Sequence, residues 1–208
     1  MITVLLVDDH AVVREGYRRL LERDAAIQVV GEAANSGEAY ERAADLEPQV
    51  IVMDIALPGV SGIEAMRRIL ARRPQQCVLM FSMYDDTIFA SRALEAGARG
   101  YVTKASAPEV LVDAISAVAR GERYLSPDVG NAIARQISSP ASSVVNTLTA
   151  REFEVLRLLA RGETVRGIGE RLGLSEKTVA NHQSAIREKL GARNAVQLAR
   201  VAAELGLS

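Results

Sequence analysis

Five polar residues stand where short apolar runs end. Asp8 and Asp9 close the first run in VLLVDDHAVVREG (Val4–Gly16), and Asp54 closes the third in VIVMDIALPGVSG (Val50–Gly62). Ser82 ends the fourth run and Lys104 follows the fifth. Gathered in one pocket, three carboxylates repel one another unless a cation joins them. All-oxygen donors of this kind suit a hard divalent ion, Mg²⁺ first among them. With a central carboxylate, a hydroxyl and a fixed ammonium, the set suits the holding of a phosphoryl group. The carboxylate attacks phosphorus while metal and lysine neutralise the oxygens. Taken singly, each residue is ordinary, since a lone Asp or Ser at a strand end is usually a helix cap and a lone Lys is usually surface. Five of them at four strand ends make the case. His10 and His182 have no partner at metal-ligand spacing and are read as non-ligands.

The elements that must position these residues alternate between two periodicities. Apolar runs at Ile2–Val7, Ile27–Val30, Val50–Met53, Val78–Phe81 and Gly100–Val102 are short and rich in Val, Ile and Leu without strict alternation. That is the pattern of strands buried on both faces. Between them lie helically spaced apolar residues: Val13, Tyr17, Leu20 and Leu21, then Ile63, Met66, Ile69 and Leu70, then Val110, Leu111, Ala114, Ile115 and Val118. The alternation predicts an α/β doubly wound sheet of five parallel strands over residues 1–121, whose functional crevice lies beyond the carboxyl ends of the strands.

Residues 122–146 read as a linker with one helix from Pro127 to Ile137, followed by the small, polar segment SSPASSVVN (Ser138–Asn146). A small all-α domain is predicted over 147–208. Thr149 with Glu152 fits a capping box, Leu148 with Phe153 a hydrophobic staple, and helices are expected near 150–161, 165–172, 176–190 and 195–205. On the third of these helices Val179, Ile186 and Leu190 share one face, set to pack on Ile168, Leu172 and Leu174. Lys177, Asn181, Ser184 and Glu188 share the opposite face, flanked by Thr178, Ala180 and Arg187. Such a helix after a tight glycine turn reads as a helix-turn-helix, its cations meeting phosphates and Asn181 addressing a base edge.

Composition agrees with a two-domain folded chain. The 208 residues are 49% hydrophobic and 25% charged, which excludes a disordered protein. From Thr147 onward ten lysines and arginines face seven acids, a balance of +3, which leaves −4 for the residues before it. Neither a signal peptide nor a membrane span is predicted. A single cysteine, Cys77, makes no internal disulfide and no cysteine-built metal site, so the reducing cytoplasm is the expected compartment.

Residues 1–121 resemble the receiver domain of bacterial two-component response regulators. LTAREFEVLRLLARG (Leu148–Gly162) and LSEKTVANHQSAIREKLGARN (Leu174–Asn194) resemble the LuxR-type helix-turn-helix. Together they give a likeness to NarL/FixJ-type regulators over nearly the whole chain. The resemblance implies a flavodoxin-like strand order of 2-1-3-4-5, which makes the first and third strands neighbours. It implies that Asp54 is the phosphoacceptor, served by a sensor histidine kinase, and that Asp8, Asp9, Asp54 and the backbone carbonyl of Ala56 hold Mg²⁺. Ser82 and Tyr101 match the switch pair, Lys104 the family lysine, and Pro58 and Gly62 the turn after the phosphoacceptor. Lys177, Thr178, Ala180, Asn181, His182, Ser184 and Arg187 are the implied contacts to double-stranded DNA. A phosphorylation-dependent homodimer is expected; Val196, Leu198, Val201, Ala202 and Leu205 of the last helix either aid it or simply pack that helix on its own bundle. The implied role is a transcription regulator rather than an enzyme.

Three rival readings lose ground. An aspartate-nucleophile phosphatase typically carries a second Asp two residues after the nucleophile, where Ala56 stands. A nucleotide-binding domain wants a glycine-rich cradle, and Asp8-Asp9-His10-Ala11 has none. A regulator independent of phosphorylation would leave the acid–Ser–Lys set without use. One departure from the LuxR-type pattern remains: Gly169 stands where alanine is usual, at a cost of about 1 kcal/mol in a helix interior. Lys104→Ala is expected to leave the fold intact while uncoupling phosphorylation from DNA affinity.

Overall fold

The structure, a computed structural model, describes residues 1–83, 87–136 and 147–204. The chain divides into two compact units, Met1–Ile137 and Ser138–Ser208. Among the described residues no helix is long and apolar enough to cross a membrane.

The first unit is built on β1 (Ile2–Val7), β2 (Ile27–Ala33), β3 (Val50–Met53), β4 (Cys77–Ser82), β5 (Gly100–Thr103) and β6 (Tyr124–Leu125). All are parallel, in the order β2-β1-β3-β4-β5-β6. Helices α1 (Ala11–Leu21), α2 (Ser36–Leu46), α3 (Gly62–Arg72), α4 (Thr87–Glu95) and α5 (Pro108–Ala119) alternate with the strands, and α6 (Pro127–Gln136) follows them. Every residue of β3 and β5 is buried, which explains why neither run alternates polar with apolar. Val4, Leu6, Val52, Leu79, Phe81 and Val102 form one core with Leu111, Ile115 and Val118 of α5. Leu5, Ile51 and Met80, the alternate residues on the same strands, are fully buried on the other face.

The sheet has six strands, not the expected five. Tyr124 and Leu125 pair in parallel with Gly100 and Tyr101, and a two-residue strand is too short to show a period in sequence. α6 then packs on α4 and β5, so the first unit runs past the boundary expected at residue 121. The proposed linker segment 138–146 lies outside the described residues.

The second unit comprises α7 (Ala150–Ala160), α8 (Val165–Leu172), α9 (Glu176–Lys189) and α10 (Ala195–Glu204). The Thr149–Glu152 capping box is present, and both members of the staple, Leu148 and Phe153, are buried. Glu152 also accepts from Lys189 Nζ at 2.9 and 2.7 Å, which ties the start of α7 to the end of α9. Burial pushes the Glu152 pKa up, but Lys189 and the Thr149 amide outweigh it and hold the carboxyl below its ordinary value.

Val179 and Ile186 are fully buried with Ile168 and Leu172, as the face assignment predicts, while Leu190 is half-buried at the end of α9. The Gly169 departure has a steric reason: a Cβ there would lie 2.8 Å from the Leu174 carbonyl oxygen. The turn passes that close because the Leu174 amide donates to the Gly169 carbonyl at 2.8 Å. α8 keeps its helical form, with the Thr164 hydroxyl capping the Gly167 amide at 3.1 Å.

Candidate functional site

Ladder hydrogen bonds continue one residue past three strand ends and fix the backbone of the site. The Asp8 amide donates to the Ala33 carbonyl at 3.0 Å, the Asp54 amide to the Val7 carbonyl at 2.9 Å, and the Lys104 amide to the Ser82 carbonyl at 2.8 Å. Asp8, Asp54 and Lys104 therefore project from the ends of β1, β3 and β5 into one crevice at the carboxyl edge. The Lys104 ammonium donates to Asp54 Oδ2 at 2.7 Å and also bonds Asp8 Oδ2. The Ala56 amide donates to Asp54 Oδ1 at 3.3 Å, and the His10 amide to Asp8 Oδ1 at 2.8 Å.

All three charged side chains are nearly shut off from water, at 5–8% exposure. Burial pushes the Asp54 pKa above the usual carboxylate value and Asp8 adds to that, against the opposing pull of Lys104 and the Ala56 amide. Burial alone would lower the Lys104 pKa, but Asp54 and Asp8 together outweigh it and raise it. Ser82 and Tyr101 are fully buried on β4 and β5. β5 is flanked by α4, β6 and α6, so any movement of Tyr101 displaces protein rather than water.

Asp9 is more exposed than Asp8, and its Oδ1 lies 2.7 Å from His10 Nδ1. Asp8, Asp9 and His10 offer ligand atoms all within 4.8 Å of one another, so the imidazole set aside on sequence grounds lies inside the donor group. Two hard carboxylates grouped this closely fit a divalent cation such as Mg²⁺ by the chemistry of their oxygen donors. Gly62 shapes the opposite wall: a Cβ there would lie 1.8 Å from the Asp54 carbonyl oxygen. The residue after the Asp54 turn must therefore be glycine for steric reasons.

On α9, Lys177, Ala180, Asn181 and Ser184 are exposed, while Thr178, His182 and Arg187 are half-buried. The Ser184 hydroxyl donates to the Ala180 carbonyl at 3.0 Å, and Thr178 shares a 2.7 Å hydroxyl pair with Ser175. His182 differs from the others. Burial, with the positive charges of Arg151 and Lys189, lowers its pKa against the pull of Glu152, so its ring sits toward α7. In α10, Leu198 and Ala202 are buried within the bundle and Val196 is 78% exposed; Leu205 lies outside the described residues.

Two polar ties carry no signal in the sequence. Arg14 Nη1 donates to the Asp8 carbonyl at 2.6 Å, and the Thr103 hydroxyl donates to Asp128 Oδ2 at 2.7 Å, joining the end of β5 to the start of α6. Their partners are 6 and 25 residues away, at spacings that match neither a helical nor a strand repeat.

Comparison with known proteins agrees with both halves. Residues 4–116 match the family model for the response regulator receiver domain, and residues 146–202 that for bacterial regulatory proteins of the luxR family. The chain is 36% identical to the response regulator GacA of Pseudomonas aeruginosa, over 100% of this chain and 98% of that one. It is 35% identical to the response regulator UvrY of Escherichia coli K12, over 100% and 96%. Among solved structures, a LuxR-family two-component response regulator from Aurantimonas sp. SI85-9A1 is 48% identical over 66% of this chain and 98% of its own, with a TM-score of 0.65. RcsB from Salmonella enterica serovar Typhimurium, bound to promoter rprA in the presence of phosphomimetic BeF3-, is 28% identical over 96% and 97%, with a TM-score of 0.66.

Proposed function

The chain belongs to the bacterial response regulators that join a receiver domain to a luxR-family regulatory domain, and from that premise we propose that it is a transcription regulator switched by phosphorylation of Asp54. The observation that carries this reading is the Lys104 ammonium shared between Asp54 and Asp8, with the Lys104 amide tied to the Ser82 carbonyl at 2.8 Å. A buried lysine that neutralises two carboxylates is already placed for the oxygens of an incoming phosphoryl group.

The Asp54 carboxylate attacks the phosphorus of a sensor histidine kinase's phosphohistidine; the phosphorus–nitrogen bond breaks and its electrons return to the imidazole. Asp8, Asp9, Asp54 and the Ala56 carbonyl would hold Mg²⁺, which when bound would supply neutralising charge to the phosphoryl oxygens. Lys104 leaves the free Asp54 oxygen for the new phosphoryl group, and the Ser82 hydroxyl donates to that group in turn. Tyr101 follows Ser82, and its movement bears on α4 and α6, a local charge change read out by a two-state element.

In the second unit, Lys177 and Arg187 meet phosphates while Asn181 and Ser184 reach base edges in the major groove. Thr178, Ala180 and His182 complete the contact face. The phosphorylated chain works as a homodimer on two half-sites, with exposed Val196 among the α10 contacts, in the cytoplasm. The test is binding to a pool of randomised DNA duplexes with and without acetyl phosphate and Mg²⁺. Enrichment of one two-fold site by the treated wild type, and not by Asp54→Asn, is the expected result. Equal enrichment by both chains contradicts phosphorylation control.

A further inference from the structure

We propose that Arg14 is a positioning residue for cation capture at the Asp8–Asp9 pair, a role that rests on the Mg²⁺-dependent reading above. Arg14 lies in the first turns of α1, and its side chain is only 15% exposed. Its guanidinium serves two acceptors on two elements. Nη1 donates to the carbonyl of Asp8 at 2.6 Å, and Nε donates to Glu32 Oε2 on β2 at 3.2 Å. The other Glu32 oxygen is taken by Arg18 Nη1 at 2.9 Å, so the carboxylate that aims Arg14 is itself held in place.

That fork clamps the peptide that joins the two acids. The Asp8 amide is already fixed by the Ala33 carbonyl at 3.0 Å, and Arg14 fixes the carbonyl on the other side of the same residue. The orientation of the Asp8–Asp9 peptide decides where the Asp9 carboxylate points. With it locked, Asp9 presents a carboxylate oxygen within 4.8 Å of a ligand oxygen of Asp8 before any cation arrives. Preorganising two like charges is unfavourable without help, and the clamp supplies it from outside the donor set. A lysine would keep the charge but could not serve both acceptors with one rigid group.

Outer groups that orient metal-binding side chains typically change affinity 10–100-fold when removed. The experiment is a calorimetric Mg²⁺ titration of the full chain, with thermal unfolding in EDTA measured alongside. Arg14→Met and Arg14→Lys should each weaken Mg²⁺ about tenfold while the metal-free melting midpoint moves little. Glu32→Gln should weaken it less, and the double variant with Arg14→Met should be no worse than Arg14→Met alone, because both act through one clamp. If Arg14→Met does not fold, Glu32→Gln carries the test, and unchanged affinity there overturns the role. Wild-type affinity in a folded Arg14→Met overturns it for Arg14 while leaving the Mg²⁺ site standing. A wild type that binds no Mg²⁺, with Asp9→Asn indistinguishable from it, overturns the Mg²⁺ reading and this role together.

Discussion

The Lys104 ammonium stands 2.7 Å from Asp54 Oδ2, joining residues 50 positions apart in sequence, and it reaches Asp8 as well. One cation thus offsets two carboxylates that are almost wholly buried. Both carboxylates depend on that one cation, because a buried charge without its partner is expensive.

Lys104→Met is therefore expected to destabilise the metal-free chain by about 3–5 kcal/mol, the usual result of removing one partner from a buried ionic cluster. Sequence alone predicts an intact fold for Lys104→Ala, with only the coupling of phosphorylation to DNA affinity lost. Its burial overrides that expectation. Urea unfolding in EDTA checks it, and added Mg²⁺ should recover part of the loss. Unchanged stability would mean that Lys104 is not the counter-charge.

Asp54→Asn should make the free chain more stable at pH 7. Burial, reinforced by Asp8, holds the Asp54 pKa above its ordinary 3.8 despite Lys104. The unfolded carboxyl therefore loses its proton first as pH rises. Between 3.8 and the folded pKa the native state holds more protons, so stability falls with rising pH and stays lower above that window. The gain from Asn should be full above the window and shrink toward pH 3.8. Thermal melts of both chains across that range test the sign, and a less stable Asp54→Asn at pH 7 would reverse it.

Gly62→Ala should disturb the Asp54 backbone directly. The added Cβ would lie 1.8 Å from the Asp54 carbonyl oxygen and 3.0 Å from Ile55 Cα, so backbone must give way. A loss of about 1–3 kcal/mol is expected, as for other overpacked sites, with slower phosphorylation by acetyl phosphate. Normal stability and rate would show that the turn has slack.

Asn181→Ala should cost about 1–3 kcal/mol on the enriched site and little on random duplex, since a base contact carries sequence information and a phosphate contact does not. Fluorescence anisotropy on both duplexes measures the difference. Equal losses would move Asn181 to the backbone-contact class.

Most of the acidic crevice is legible in sequence because its residues occupy strand ends, and strand ends are marked by where apolar runs stop. Asp8, Asp54, Ser82 and Lys104 are all of this kind, and Gly62 shows in the turn that follows. β6 escapes notice because two residues have no period, so α6 is read as part of a linker rather than as part of the first unit. Arg14 and Asp128 escape because their partners are a carbonyl and a hydroxyl on other elements, which no residue pattern records. His182 matches the helix-turn-helix pattern but sits half-buried toward α7, since periodicity places a residue on a face and not at its edge.

The central claim is that Asp54 takes up a phosphoryl group and thereby changes the assembly of the chain. Intact mass after incubation with Mg²⁺ and acetyl phosphate, beside an Asp54→Asn control and followed by size-exclusion chromatography, tests it most directly. One phosphoryl adduct on the wild type alone, with a shift toward dimer, is the predicted result. An adduct on both chains, or none on the wild type at saturating Mg²⁺ and donor, would contradict it.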